Sequence, residues 1–372
     1  MRILILSCGT GGGHNSAALA IKEELDRRNI DNEFKEYLEI IDKRIKNYVN
    51  SLYIRSTYGN GKVFKTVYKL GELYRKTRIK SPVYALNSFS KRKLYEYIKD
   101  NGFDYIVTTH LFATQALTTI KKQREIHFVA IATDYVCIPF WEETNPDYFI
   151  VPSKELEESF LTKGIKEDKL IPLGIPVSNN FSLEYDKNEE IEKLNLEKAK
   201  KYILILTGSM GFGNTTQILK KLIDKSDEET RFIISCGNNE KLLNTIKELE
   251  NPKVLALPFT KEIYRYMRVS DVILSKPGGL TSTEIATMNK PFIHTMPIPG
   301  CENYNANYFN EKKMSIKCDT IDEVVDNTYK LLNNENLKKE MIENQKKYID
   351  KNACKKICDF IIKQIQEIED SK

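Results

Sequence analysis

Short apolar runs and amphipathic stretches take turns along this chain. Ile3 to Ser7 is continuously apolar up to its last residue, as in a strand buried on both faces. A glycine run follows, Cys8-Gly9-Thr10-Gly11-Gly12-Gly13, and then a helical pattern from Ser16 to Arg28 with Ala17, Leu19, Ala20, Ile21 and Leu25 on its apolar side. That order predicts a βαβ opening whose glycine turn sits at the carboxyl end of the first strand, the usual crevice for a ligand in open α/β sheets. Strands are expected again at 33–38, 104–109, 128–132 and 148–151, with helices at 113–120 and 154–163. The polar run 178–201, behind Pro172 and Pro176, predicts a linker.

The second half repeats the grammar. A strand at 202–206 leads into the glycine loop 207–214 and a helix at 216–224. Strands are expected at 232–235, 254–257, 272–274 and 292–295, a helix at 239–249, and terminal helices at 321–332, 338–349 and 354–368. Alternation of this kind predicts two α/β domains with parallel sheets.

Two stretches carry candidate chemistry. In the first, Ile273-Leu274 runs through Ser275-Lys276-Pro277-Gly278-Gly279 into a helix opened by Thr281-Ser282-Thr283-Glu284. The first amides of a helix lack internal partners and carry the positive end of its dipole, so a phosphate placed there is bound by backbone alone. Glu284, one turn in, suits the vicinal hydroxyls of a ribose, and the pair suggests a nucleoside diphosphate. The alternative is a capping box, in which Thr281 caps the helix and Glu284 closes the box. In the second stretch, His14 follows three glycines at a helix start. G-x-G-x-x-G would need glycine where His14 stands, and a P-loop would need Gly-Lys-Ser/Thr at 14–16, so neither fingerprint applies. An imidazole there has the pKa for proton transfer near neutrality, although a lone histidine also serves as a structural residue. Strands ending at His110 and at Thr133-Asp134 deliver two more polar groups to the same sheet edge.

Composition narrows the picture. At 372 residues, 41% hydrophobic and 29% charged, the chain is long enough for two cores and reads as a soluble globular protein. Met1-Arg2 runs straight into ILIL without a secretory h-region, and no run of about 18 apolar residues suggests a membrane span. Seven cysteines without a C-x-x-C pair predict reduced thiols and argue against zinc. The net charge of +5 is uneven: Ser51 to Lys93 holds eleven Lys/Arg against the single acid Glu72, so the remainder nets −5. Tyr53, Tyr58, Phe64, Tyr68, Tyr74, Tyr84 and Phe89 are interleaved with those cations. Such a segment suits an anionic bilayer interface; nucleic acid, or a solvated loop with its aromatics tucked inward, are the alternatives.

Four separated strings, CGTGGGHNSAA, ATDYVCIPFW, TGSMGFGN and SKPGGLTSTE with PGCENYNAN, occur in the order found in the monogalactosyldiacylglycerol synthase and processive diacylglycerol glucosyltransferase family. The chain resembles that family over nearly its full length, and through it the MurG-type enzymes. The resemblance implies an α/β GT-B fold, two Rossmann-like domains facing across a cleft. Residues 1–177 would bind acceptor and membrane and 178–352 the UDP-sugar, with the helix at about 353–372 free to pack back on the first domain. It implies inverting transfer of a hexose, glucose or galactose, from a UDP-sugar to diacylglycerol or a glycosyl-diacylglycerol, by a cytoplasmic enzyme peripherally bound to the inner face of the cell membrane. No metal and no cofactor are implied, the UDP-sugar being a substrate. The expected partners are a UDP-hexose, diacylglycerol and an anionic membrane surface, and no nucleic acid. A MurG-like transferase to a polyprenyl-linked acceptor, or a non-catalytic UDP-sugar sensor, are the alternatives.

Carried over by position, His14 is the implied base, with Asp134 its partner or an alternative base. Gly279, Leu280 and Thr281 would meet the diphosphate, Glu284 the ribose and Phe259 the uracil, while Gly208 and Ser209 face the donor and Glu302 and Asn305 meet the sugar. Arg55, Lys69, Arg75, Lys76 and Arg78 fall where the family inserts its membrane and acceptor region. Plant-like members read Gly-Gln-Glu-Glu-x-x-Asn or close to it where this chain has Gly300-Cys301-Glu302-Asn303-Tyr304-Asn305, which leaves glucose and galactose both open.

Overall fold

The computed structural model describes residues 1–9, 12–42, 80–208 and 214–371. These form two compact units, one reaching to Asn179 and rejoined by the C-terminal segment from Lys351, the other spanning Asn180–Asp350. In the first unit, strands β1 (Arg2–Ser7), β2 (Asp31–Glu36), β3 (Tyr105–Thr108), β4 (Phe128–Ile131), β5 (Tyr148–Val151) and β6 (Leu170–Pro172) make one parallel sheet in the order β2-β1-β3-β4-β5-β6. Alternation along β1 divides its side chains between two apolar layers. Ile3 and Ile5 pack with Ala18, Ile21 and Leu25 of the helix Gly13–Arg27, while Leu4 and Leu6 face Leu94, Ala113 and Leu117. Both faces of the sheet are therefore covered at its centre, which is why β1, β3, β4 and β5 read as apolar runs while the edge strand β2 does not.

The C-terminal helix Ala353–Asp370 belongs to this unit. Ile357, Ile361 and Ile365, spaced one turn apart, join the Ile21 and Leu25 layer, and burying such side chains stabilises by about 1.5–3 kcal/mol each. Arg28 Nη1 donates to Asp359 Oδ1 at 2.5 Å, and the Cys354 thiol lies 3.3 Å from the Ala20 carbonyl. All seven cysteines are free thiols.

In the second unit, β7 (Lys201–Leu206), β8 (Thr230–Ser235), β9 (Val254–Leu257), β10 (Val272–Ser275), β11 (Phe292–Thr295) and β12 (Ile316–Cys318) form a parallel sheet in the order β12-β11-β10-β7-β8-β9. In each sheet the strand order reverses once, between β1 and β3 in the first and between β7 and β10 in the second. Loops leaving adjacent strands diverge at such a point and open a crevice at the carboxyl edge. His14 and His110 flank one of these points; Gly208 and Lys276 flank the other.

Three expectations from sequence need correction. The run 178–201 is no linker: Asn180 already begins the second unit, Asp186 caps a helix at Lys187–Lys193, and Phe181 and Ile191 are buried. Within it, buried Glu190 accepts from Arg265 Nε and Arg268 Nη1, both at 2.9 Å, while most of the other charged residues are exposed. Strand β2 stops at Glu36, and Tyr37–Ile41 turns into a helix. Finally, the end of the basic aromatic segment belongs to the core. Pro82 opens the helix Pro82–Phe89, where the missing amide of proline costs nothing, and Ser81 caps it. Buried Glu143 accepts from the Ser81 amide at 2.5 Å, the Ser81 hydroxyl at 2.6 Å and Gln115 Nε2 at 3.0 Å, and Tyr84 is buried under Lys80. Arg55, Lys69, Arg75, Lys76 and Arg78 lie outside the described residues.

Candidate functional site

At the N-terminal switch point, Gly12 (φ +79°) takes a left-handed conformation that releases the glycine run into the helix, and His14 stands in the first turn. Its Nδ1 lies 2.9 Å from the Thr109 carbonyl and 2.9 Å from Thr133 Oγ1, while the Thr109 hydroxyl donates to the His14 carbonyl at 2.9 Å. A carbonyl only accepts, so Nδ1 carries the proton and Nε2 of the neutral ring keeps its lone pair. His110 stands edge-on, ring centroids 4.7 Å apart and planes at 86°. Its Nδ1 accepts from the Phe112 amide at 3.2 Å, which puts its own proton on Nε2. Burial lowers the His14 pKa below its ordinary value, while the charge of Asp134 and the Thr109 carbonyl pull it back up. His110 is held well below the usual range, by burial first and then by His14. Both imidazoles are therefore neutral at physiological pH, and His14 is the one with a basic nitrogen to spare. Thr109 and Thr133 carry no signal in the sequence beyond their place at strand ends.

At the second switch point, the chain leaves β10 through Lys276-Pro277-Gly278 and enters the helix Gly279–Thr287. The helix begins two residues earlier than its sequence suggests. Gly278 is its N-cap and no side chain caps it, so Glu284 closes no capping box. The capping box of this unit is at Thr320 and Glu323 instead. The carbonyls around the turn are bound inward. The Ser275 hydroxyl donates to Lys276 O at 2.9 Å, Asn305 Nδ2 to Pro277 O at 3.0 Å, the Ser282 hydroxyl to Gly278 O at 2.8 Å and the Thr283 hydroxyl to Gly279 O at 2.7 Å. In a trans peptide the following N–H points opposite its carbonyl, so anchoring these oxygens turns the amides of Gly279 and Leu280 outward. A side chain added at Gly278 would meet nothing within 4 Å, so the space before the turn is open.

Glu284 is half-buried with no hydrogen-bond or ion-pair partner among the described residues, and burial pushes its carboxyl up to about 8. Lys276, absent from the sequence-derived candidates, donates to Glu302 Oε1 at 2.8 Å, and Glu302 Oε2 accepts from the Ile298 amide at 3.2 Å. The Lys276 stem runs 3.1 Å from where a Cβ of Gly208 would stand, and Gly208 has φ +75°; both facts favour glycine there. Leu280 is buried against the unit, Thr281 is half-buried, and Phe259, in the loop after β9, is 57% exposed. Asn305 is fully buried, and its Nδ2 braces the Pro277 carbonyl. Ser209 lies outside the described residues. Among the described residues no three His, Cys, Asp or Glu side chains stand together as metal ligands, and no helix is long and apolar enough to cross a membrane.

The sequence model of the monogalactosyldiacylglycerol (MGDG) synthase family matches residues 14–177, and that of the glycosyltransferase family 28 C-terminal domain matches residues 202–357. A processive diacylglycerol beta-glucosyltransferase of Bacillus licheniformis is 27% identical, the alignment covering 100% of this chain and 97% of that protein. The solved structure of Acinetobacter baumannii MurG superposes with a TM-score of 0.64 at 16% identity, over 97% of this chain and 99% of MurG. The S. aureus MnaA–UDP co-structure gives 0.64 at 13%, over 96% and 95%. With both halves matched in order and a relative aligned from end to end, the chain joins a monogalactosyldiacylglycerol synthase domain to a glycosyltransferase family 28 C-terminal domain, has the GT-B fold, and is similar over its whole length to the processive diacylglycerol beta-glucosyltransferases.

Proposed function

We propose that the protein transfers glucose from UDP-glucose to diacylglycerol, and onward to glucosyl-diacylglycerol, with inversion at the anomeric carbon. The observation that carries this reading is the turn at 276–281, which combines inward-bound carbonyls, outward amides and, one turn away, a Glu284 without a partner among the described residues. Outward amides at a helix start suit a diphosphate, and a carboxylate left without a protein partner suits a ribose diol. Phe259 offers an exposed ring to the uracil face. Glucose is favoured over galactose by the name of the relative, a beta-glucosyltransferase, and inversion by the beta linkage in that name, since UDP-glucose is alpha-linked.

In the reaction, the acceptor hydroxyl attacks the anomeric carbon as its proton passes to His14 Nε2. The new C–O bond forms while the bond from sugar to phosphate breaks, and UDP leaves with the electron pair. The amides of Gly279 to Thr281 and the Lys276 ammonium offset the charge growing on that phosphate, the task a divalent ion performs elsewhere. Asp134 favours the imidazolium formed on His14, in line with the direction of its effect on that ring. Glu302, tethered by Lys276, presents its carboxylate at the same sheet edge, where sugar hydroxyls would be held.

The acceptor is a lipid, and the segment 51–93 with its eleven Lys/Arg is the part of the sequence suited to hold an anionic surface from the cytoplasmic side. One experiment tests donor, acceptor and surface together: purified protein, UDP-glucose or UDP-galactose, and diacylglycerol in phosphatidylglycerol or phosphatidylcholine vesicles. We expect glucolipid from UDP-glucose, made faster on the anionic vesicles, with Lys76→Ala/Arg78→Ala removing that advantage by about thirtyfold in vesicle affinity at low salt. Product from a polyprenyl acceptor alone, or equal rates on both vesicles, would contradict it.

A further inference from the structure

His294 lies in β11 and is fully buried in the second unit, away from solvent and from any position where it could touch a substrate. A buried histidine that follows Phe292 and Ile293 in a core strand needs a physical reason. Its ring packs edge-on against Phe292 and Phe309, at 4.9 and 5.5 Å between centroids, and both of its nitrogens are engaged. Nε2 is 2.8 Å from Ser282 Oγ and Nδ1 is 3.0 Å from Ser315 Oγ.

The direction of this chain of hydrogen bonds is fixed from its far end. Gly278 O can only accept, so the Ser282 hydroxyl donates to it, at 2.8 Å. Ser282 Oγ must then accept, and Nε2 of His294 must carry the proton that it accepts. A neutral ring has Nδ1 bare, and the Ser315 hydroxyl supplies that nitrogen. The ring is neutral because burial pushes its pKa down to about 3. Ser315, His294, Ser282 and the Gly278 carbonyl thus form a line of three hydrogen bonds with a single consistent polarity.

Its end point matters for the donor. Gly278 is the N-cap of the helix Gly279–Thr287, and its carbonyl also accepts the first helical bond, from the Ser282 amide at 3.0 Å. With two donors on one oxygen the plane of the Gly278–Gly279 peptide cannot rotate without breaking both, and the Gly279 N–H is the other edge of that plane. A glycine pair has no side chain to hold this orientation itself.

We propose that His294 is a positioning residue for donor binding: acting through Ser282, it fixes the peptide whose amide meets the donor diphosphate. This rests on the reading of the 276–281 turn as the diphosphate site. It assigns to a strand residue with no access to the ligand a measurable share of the donor affinity.

The test uses the full-length protein, with UDP binding by calorimetry, steady-state kinetics in both substrates, and thermal melts. His294→Leu should raise the UDP Kd and the donor KM about tenfold, with kcat and the acceptor KM changed by less than about twofold. His294→Gln, whose amide places an N–H near the Nε2 position, should recover most of the loss. Ser282→Ala breaks the line at its next member without emptying the aromatic box, and should match His294→Leu. Because both act through one hydrogen bond, the double variant should be no worse than either single one. A melting temperature lowered without any change in UDP Kd would reduce His294 to a core residue and overturn the inference. Additive losses in the double variant would do the same. If His294→Leu does not fold, Ser282→Ala and His294→Gln decide the matter alone. Wild-type protein that fails to bind UDP removes the donor site and this inference together, whereas wild type that binds, with variants that bind equally, removes this inference only.

Discussion

His14→Ala is expected to lower kcat by about two to four orders of magnitude while the donor KM stays within a few fold of wild type. The asymmetry follows from the geometry. The ring is held at Nδ1 by the Thr109 carbonyl and Thr133 Oγ1, both at 2.9 Å, which leaves Nε2 as the only basic atom it can offer. His14 belongs to the first unit and the groups assigned to UDP belong to the second, so removing the imidazole takes away a proton acceptor and leaves those groups in place. The pH profile carries a second signature. Burial lowers the His14 pKa, so the acid limb of kcat/KM should fall below the ordinary 6.5 and be absent from the variant. Asp134 acts in the raising direction, so Asp134→Asn should move that limb to still lower pH and reduce kcat less than His14→Ala does. Rates for His14→Ala within threefold of wild type would remove the base assignment.

Glu284→Ala should raise the donor KM by about two to three orders of magnitude. Two hydroxyl groups of a ribose donating to one carboxylate represent two charge-assisted bonds of about 1.5–3 kcal/mol each, and a methyl group replaces neither. The same residue links pH to stability. Its carboxyl titrates at about 8 in the folded chain against an ordinary 4.5, so between those values the native state holds a proton that the unfolded state has lost. Stability therefore falls as pH rises through that window, because the charged form is stranded without a partner. Glu284→Gln should leave the ligand-free melting point unchanged near pH 4.5 and raise it at pH 8.5. The gain should be about 1–3 kcal/mol once partial exposure is allowed for. UDP reverses the preference: hydroxyl donors favour the carboxylate, so wild-type UDP affinity should increase with pH between about 6 and 8. Equal melting points for wild type and Glu284→Gln at pH 8.5, together with equal UDP affinity, would show that the carboxylate has a partner and no ligand role.

Much of this was legible in the residues because strand, glycine and helix follow one another so regularly. Continuous apolar runs located β1 and β5 almost to the residue, since strands covered on both faces need not alternate, and the short runs at β9 and β11 were placed as closely although β9 is only partly buried. The same rule fails for β12, whose three residues bury only Cys318, and for the helix Lys187–Lys193, whose core contribution rests on Ile191 with charges around it. The helix Cys301–Glu311 was hidden by its polar start and by Gly300 at φ +127°. His14 and Glu284 could be picked out by their place after a glycine turn. Their chemical states could not, because the groups that set them come from other strands: Thr109 and Thr133 stand 95 and 119 residues from His14. Asn305 shows the converse limit, since its burial against the Pro277 carbonyl is visible only in the folded chain. Lys276 went unnoticed because nothing in the sequence shows its stem lying against Gly208.

The most direct test of the central claim is the anomeric configuration of the first sugar in the lipid product, read by proton NMR coupling after reaction of UDP-glucose with diacylglycerol. Direct displacement with the acceptor proton taken by His14 predicts a beta-linked glucosyl-diacylglycerol with no alpha product. An alpha linkage, or bound UDP-glucose that never yields a lipid product, would contradict the account.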